Sequence, residues 1–129
     1  MSDRMLVSTG TRFEDLFGYS RAVRVGPWVM VAGCTSAGPE GPVGGADIVA
    51  QTAECLRRVV AALDKAGAAR EDVVRTRFYV TDISALEAIG RVHIEFFGAV
   101  RPASTIVEVS ALAAPSLLVE VEADAIVAG

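Results

Sequence analysis

Segments with the two-residue periodicity of β-strands alternate with segments of helical periodicity along this 129-residue chain. A strand-like segment at 28–33 comes before an amphipathic helical segment at 48–66, and a strand-like segment at 73–80 comes before a second helical segment. Two more strand-like segments, 103–109 and 117–127, follow. Because helices bury their apolar faces against a sheet, the pattern predicts an α/β domain with a mixed sheet and two helices on one of its faces.

Both helical segments carry recognisable start and stop signals. Asp47 stands where its side chain can accept the free N–H groups of the first helix, Lys65 lies in the last turn and Gly67 follows the end. Asp82 precedes the second helical segment, which stops at Gly98. We therefore expect two helices with well-defined ends.

The chain is more apolar than one small domain requires. Hydrophobic residues make up 52% and charged residues 22%, but no apolar run reaches the roughly 18 residues of a membrane helix. This surplus of hydrophobic residues predicts a second buried surface. We therefore expect the sheet face away from the helices to be apolar and to contact another subunit. We assign residues 1–129 to a single domain and no secondary structure to residues 1–17.

Charge and cysteine content narrow the possible partners. The net charge of −4 argues against a nucleic-acid partner, since such proteins present basic patches. Two cysteines without a CxxC motif or a histidine cluster predict neither a disulfide framework nor a metal site, and no cofactor is expected. The N-terminus lacks the layout of a secretion signal, which favours a cytoplasmic protein. The expected partners are a small molecule and further copies of the chain, and not a membrane.

Four stretches are recognisable as motifs of one protein family. They are Trp28–Gly33, Phe78–Ile83, the run from Phe96-Phe97-Gly98 through Arg101-Pro102-Ala103, and Val119–Ala123. These stretches resemble the Rid (reactive intermediate deaminase, or YjgF) family, in order and over almost the whole chain from Gly18. The resemblance implies a chorismate-mutase-like fold assembled as a homotrimer, with inward-facing sheets and three clefts between neighbouring subunits.

The resemblance also implies a chemistry. Deaminating Rid members hydrolyse enamines and imines such as 2-aminoacrylate, and an arginine at the position of Ser104 holds the substrate carboxylate. A serine does not reproduce the planar, bidentate fork of arginine. Family position further implies that Glu120 orients the attacking water, that Gly33 positions substrate and that Tyr19 closes the cleft. Ser104 itself is expected to line the cleft and contact the ligand.

Other positions also depart from the family pattern. Ala32, Cys34 and Gly90 stand where common members have serine, glutamine and asparagine, so the resemblance implies a rebuilt cleft. Arg101 is a candidate for the missing arginine. Its odd offset from Ser104 places it on the opposite face of a continuous strand, which favours a rim position.

Several candidates have a purely structural interpretation. His93, the one histidine, has helical spacing from neighbouring apolar residues and is expected to be packed and hydrogen-bonded. Cys34 lacks a visible histidine that could activate it and is expected to be a small buried side chain. Ser104 likewise has no visible base. Glu120 has an alternative role as an interfacial hydrogen-bond acceptor, and Tyr19 as a packing residue at the subunit boundary.

Two functions from different classes remain open. The favoured one is a hydrolytic deaminase of an enamine, imine or similar small metabolite, with weak or no activity on 2-aminoacrylate. The alternative is a non-catalytic trimer that binds a small metabolite or a partner protein, because Ser104 replaces the family arginine. A ribonuclease, a name attached to parts of this family, is disfavoured by the acidic charge and the single histidine.

Overall fold

The computed structural model of the protein describes residues 4–128, so residues 1–3 and 129 of the expected domain lie outside it. The described elements, in chain order, are β1 (Arg4–Val7), α1 (Arg12–Phe17), β2 (Ala22–Val25), β3 (Trp28–Cys34), α2 (Ile48–Lys65), β4 (Val73–Val80), α3 (Leu86–Phe97), β5 (Ala103–Glu108) and β6 (Val119–Ile126). The predicted alternation of strands and helices is confirmed. Residues 1–17, to which the sequence analysis assigned no secondary structure, contain strand β1 and helix α1. Among the described residues, no helix is both long and apolar enough to cross a bilayer.

The strands form one mixed sheet in the order β1-β2-β3-β6-β4-β5. Strand β6 runs antiparallel to both β3 and β4, while β4 and β5 are parallel. Parallel neighbours cannot be joined by a tight turn, and α3 supplies the crossover between them. The expected mixed α/β sheet is confirmed.

Helix α2 covers the centre of the sheet. Asp47 accepts a hydrogen bond from the Val49 backbone N–H at 2.9 Å, which starts the helix as predicted. Gly67 adopts a left-handed φ of 80° just past the helix end. The buried residues of the helix face the sheet, and they are Gln51, Thr52, Cys55, Leu56, Val59, Ala62 and Leu63.

The two faces of the sheet differ in polarity. Along β6 the residues at odd positions from Val119 to Ala125 are buried under the helices, whereas Glu120, Glu122 and Asp124 lie on the opposite face. The expectation of a wholly apolar second face is therefore wrong along β6 and β4. Apolar side chains on that face come from β3, where Trp28 and Met30 are exposed.

Strand β4 contains an irregularity that shifts one predicted core residue. Its pairing with β6 changes register between Val73 and Arg75. As a result Val73 is buried and Val74 is 42% exposed, although strict alternation from Val80 places Val74 in the core. Thr76 and Phe78, beyond the irregularity, are buried as expected.

Candidate functional site

Gly33 lies where the pairing of β3 with β6 shifts register, between Val31 and Cys34. The Glu120 carboxylate occupies the space above its Cα, and a Cβ added at Gly33 would overlap Glu120 Oε2. Only glycine permits this approach of the carboxylate to the backbone. The structure thus brings together two of the residues predicted to form the site.

Glu120 is a half-buried carboxylate without a partner. It forms no hydrogen bond or salt bridge with another residue in the range 4–128 that the structure describes, and Glu122 lies near it on the same strand face. Burial raises the pKa of the Glu120 carboxyl group, the charge of Glu122 raises it further, and Arg21 opposes both. A carboxylate in this environment is a stronger base than an exposed one, as a general base requires.

Arg21 connects Tyr19 to Gly33, although sequence reasoning did not select it. Its Nη1 donates to the Gly33 carbonyl oxygen at 2.6 Å, and its Nη2 donates to the Tyr19 hydroxyl oxygen at 3.0 Å. Its guanidinium carbon also lies 5.4 Å from the centre of the Tyr19 ring. Tyr19 and Arg21 are two residues apart just before β2, and this spacing is the sequence signal that could have revealed the pair.

Glu14 is a second residue near Arg21 that the sequence analysis did not select. Its carboxylate accepts hydrogen bonds from Ser8, Thr9 and Thr11 and lies 4.0 Å from Arg21. Burial alone would raise the pKa of Glu14, but the hydrogen bonds from Thr9, Ser8 and Thr11 outweigh it and lower the pKa to about 2. The sequence signal was the spacing of Thr11 and Glu14, which is that of a helix-capping box.

Cys34 is a buried thiol beside this group. Burial raises its pKa more than the nearby Arg21 lowers it, and its Sγ accepts from Arg21 Nη1 at 3.6 Å. The more deeply packed Cys55 has its pKa raised to about 12, chiefly by burial. The expectation that Cys34 is a small buried side chain is confirmed.

Ser104 belongs to a chain of hydrogen bonds that ends at His93. The fully buried Thr76 hydroxyl donates to Ser104 Oγ at 2.8 Å and lies 2.9 Å from His93 Nε2. The Thr76 hydroxyl is therefore hydrogen-bonded to both the Ser104 hydroxyl and the His93 ring nitrogen. Ser104 is thus linked to the His93 imidazole only through Thr76, and among the described residues no base contacts its hydroxyl directly.

His93 is packed as expected for a structural histidine. Its ring lies 5.3 Å from that of Phe78 and 5.4 Å from that of Phe97, measured between centroids. Burial lowers the pKa of His93 below its usual value. The ring is therefore neutral at pH 7, and the predicted packed, hydrogen-bonded role is confirmed.

Arg101 lies on the same side of the sheet as His93, contrary to the alternation argument. Its φ of 55° is left-handed, and it is the one non-glycine residue with positive φ among those described. This backbone turn comes before β5 begins at Ala103, so strand alternation does not extend to Arg101. Arg101 lines a pocket of about 320 Å³ together with His93, Phe97 and Pro102.

The predicted site residues fall into two groups. Gly33 lies on β3, Glu120 on β6 and Tyr19 in the segment before β2, whereas Ser104 lies on β5 and Arg101 just before it. Strand β3 is three strand spacings, about 14 Å, from β5, and β6 is two spacings, about 10 Å, from it. A single chain does not bring all five residues together.

A cavity of about 930 Å³ adjoins the first group. Tyr19, Arg21, Gly33 and Cys34 line one side of it, and α1, α2 and the segment 113–117 provide the rest. Glu120 approaches Gly33 from the other face of the sheet and does not line the cavity. In the described part of the chain, no group of three or more His, Cys, Asp or Glu side chains is arranged to hold a metal ion.

Comparison with known proteins gives the family. The sequence profile described as Endoribonuclease L-PSP matches residues 9–127. The RutC family protein PYRAB12510 of Pyrococcus abyssi is 38% identical over 106 residues, which are 81% of this chain and 83% of the relative. The chain belongs to the YjgF/Rid family.

Solved structures of other proteins share the fold. Rv2704 of Mycobacterium tuberculosis, described as a member of the YjgF/YER057c/UK114 family, is 55% identical with a TM-score of 0.89, covering 97% of this chain and 100% of that protein. Escherichia coli TdcF, solved with bound serine, is 26% identical with a TM-score of 0.76, over 85% and 88% of the two chains. These matches confirm the predicted fold.

Proposed function

We propose that this YjgF/Rid protein is a hydrolase that deaminates an enamine or imine in clefts between the subunits of a homotrimer. The observation that carries the proposal is the half-buried, unpaired Glu120 carboxylate in contact with the Gly33 backbone. Perturbed, unpaired carboxylates are concentrated at functional sites, since a buried charge without a partner is costly for a purely structural residue.

The reaction requires a base and then an acid at one position. Water adds to the imine carbon while Glu120 accepts its proton, and the C–N bond then breaks as the nitrogen is protonated, which gives a carbonyl compound and ammonia. An enamine first takes up a proton at carbon to become the imine. A carboxyl group with a raised pKa both accepts and returns a proton at moderate cost. Gly33 and Tyr19 would position the substrate.

The separation of the two residue groups supports a cleft between subunits. Gly33 on β3 lies three strand spacings, about 14 Å, from Ser104 on β5 within one chain, so a small substrate reaches both only where two copies meet. Strand β5 is an edge strand whose other side is free to face a second copy. Bound serine in TdcF supports a small, polar metabolite as the ligand class.

The test is hydrolysis of a panel of imines, from 2-aminoacrylate to larger side chains, by the assembled protein. We expect faster release of ammonia and keto acid for at least one larger imine, and a loss of kcat of roughly 100-fold in Glu120→Gln. Glu95→Gln, on an exposed part of α3, is the matched control and should retain full activity. No acceleration for any imine, with the trimer intact, would reject the proposal.

A second candidate is a non-catalytic trimer that binds a small metabolite. It is favoured by the engagement of Ser104 with Thr76, because a hydroxyl bonded within the protein is a weak substitute for a free guanidinium. Reproducible thermal stabilisation by a ligand that is not turned over supports this function. An RNA-cleaving activity, which the family description names, is not proposed because the chain carries a net charge of −4.

A further inference from the structure

The 930 Å³ cavity is larger than a small imine requires, and its walls are mostly apolar. Helix α1 contributes Phe13, Leu16 and Phe17, and α2 contributes Ala61 and Ala62. Cavities near the upper end of the 300 to 1,000 Å³ range accommodate drug-sized molecules, so a ligand with only a few heavy atoms would leave most of this space filled with water. The walls therefore fit a ligand with a bulky apolar body.

The charged residues that line the cavity are all cationic. They are Arg12, Arg21, Arg58 and Lys65, and no aspartate or glutamate of residues 4–128 lines it, although the chain has a net charge of −4. Arg21 and Arg58 are already bonded, to Gly33 and Tyr19 and to Glu54 and Thr35 respectively.

Arg12 and Lys65 are the cations left available to a ligand. Neither forms a salt bridge with a carboxylate in the described residues, and the Arg12 guanidinium carbon lies 5.2 Å from the Phe13 ring centre. Lys65 also complements the C-terminal end of α2, a role that any cation at this position would fill. An anion in the cavity would therefore meet two positive side chains that form no salt bridge with a described carboxylate.

We propose that this cavity binds an organic carboxylate with a bulky apolar body, such as an aryl-alkyl or medium-chain acyl acid. The body packs against α1 and α2, and the carboxylate lies at Arg12 and Lys65. This site shares Tyr19 and Gly33 with the proposed catalytic cleft but includes neither Glu120 nor Ser104, so binding here does not require hydrolysis.

The test is calorimetric titration of the assembled protein with matched probes, 4-phenylbutyrate against 4-phenylbutanamide and octanoate against acetate. We expect the two larger carboxylates to bind at least tenfold more tightly than the amide and acetate. Arg12→Gln and Lys65→Gln should each weaken 4-phenylbutyrate at least threefold without changing the amide, and Lys65→Arg should bind as the wild type does. Arg91→Gln, an exposed cation on α3 that pairs with Glu87, is the control and should change nothing.

Filling the cavity tests the apolar part separately. Ala61→Trp projects a large side chain from an exposed position on α2 that lines the cavity, and it should abolish binding of octanoate. If that variant does not fold, the affinities of the surface variants Arg12→Gln and Lys65→Gln for 4-phenylbutyrate still test the inference. Equal affinity for acid and amide, or no binding of either larger acid, overturns the inference. If the larger acids bind but no imine is turned over, the carboxylate site is supported and the proposed hydrolase is rejected. If an imine is turned over but the larger acids do not bind, the hydrolase is supported and the carboxylate site is rejected.

Discussion

The Thr76 hydroxyl donates a hydrogen bond to the Ser104 hydroxyl oxygen across 2.8 Å. Thr76 is fully buried, and His93 on its other side completes the pairing of its hydroxyl. A buried hydroxyl without a partner destabilises the folded state by about 1–3 kcal/mol. The hydrogen bonds to Ser104 and His93 remove this cost for Thr76. Position 104 therefore presents a neutral hydroxyl that is already part of an internal network.

The first prediction concerns the protonation of His93. Its pKa is lowered in the folded state by burial, so below the usual value of 6.5 the unfolded chain binds a proton more readily than the folded one. Stability attributable to His93 is therefore complete above pH 6.5 and falls as the pH decreases from there. Nuclear magnetic resonance of the single histidine should give a pKa below 6.5.

The control for that prediction is His93→Phe, which keeps an aromatic ring beside Phe78 and Phe97. Thr76 retains Ser104 as a partner in this variant. Urea unfolding at pH 7.5 and at pH 5.5 should show a smaller loss of stability for the variant than for the wild type. An equal loss in both proteins would mean that His93 is not the group responsible.

The second prediction concerns the contact between Gly33 and Glu120. Gly33→Ala places a methyl group where Glu120 Oε2 lies, so the carboxylate must move. Because Oε2 is the end of a flexible side chain that can rotate away, we expect a loss of no more than about 1 kcal/mol in the free energy of unfolding. Gly90→Ala is the matched control: an added Cβ there meets open space within α3, and it should stabilise the protein by about 0.5–1 kcal/mol. Equal stabilities for the two variants in urea unfolding would contradict the packing described.

The third prediction concerns Glu14. Its pKa is about 2 in the folded state against 4.5 ordinarily, so its contribution is present above pH 4.5 and is lost as the pH falls from 4.5 towards 2. Glu14→Gln should lower the free energy of unfolding at pH 7 by about 1–3 kcal/mol, because hydrogen bonds to a charged acceptor are lost. Asp15→Asn, on the exposed side of α1, should change stability by less than about 0.5 kcal/mol. A similar small effect for Glu14→Gln would show that the carboxylate is dispensable.

The sequence was informative where periodicity governs structure. Asp47 and Gly67 marked the ends of α2 because capping and left-handed backbone are local properties. Val74 was misplaced because a single register shift, which leaves no composition signal, exchanges the two faces of a strand. The sequence likewise did not predict the left-handed backbone of Arg101, since few arginines adopt a positive φ.

The site was predictable only in part, for a related reason. Family position selected Glu120 and Gly33, which do lie in contact. It did not select Arg21 or Thr76, whose roles arise from contacts between strands distant in the sequence. Hydrogen bonds such as Thr76 to Ser104, 28 residues apart, depend on the strand register, which no local pattern specifies.

The fourth prediction is that Ser104→Arg confers or raises activity on 2-aminoacrylate. The arginine side chain would supply a bidentate donor for the substrate carboxylate, and hydrogen bonds to a charged group contribute about 1.5–3 kcal/mol. If Glu120 and Gly33 are competent, kcat/KM for 2-aminoacrylate should rise by about 10- to 100-fold. Thr105→Arg is the control, because its side chain lies on the opposite face of β5 and should give no gain. The same low activity in both variants, with each folded like the wild type, would mean that the proposed cleft is built for a ligand without that carboxylate and would favour the binding protein over the deaminase.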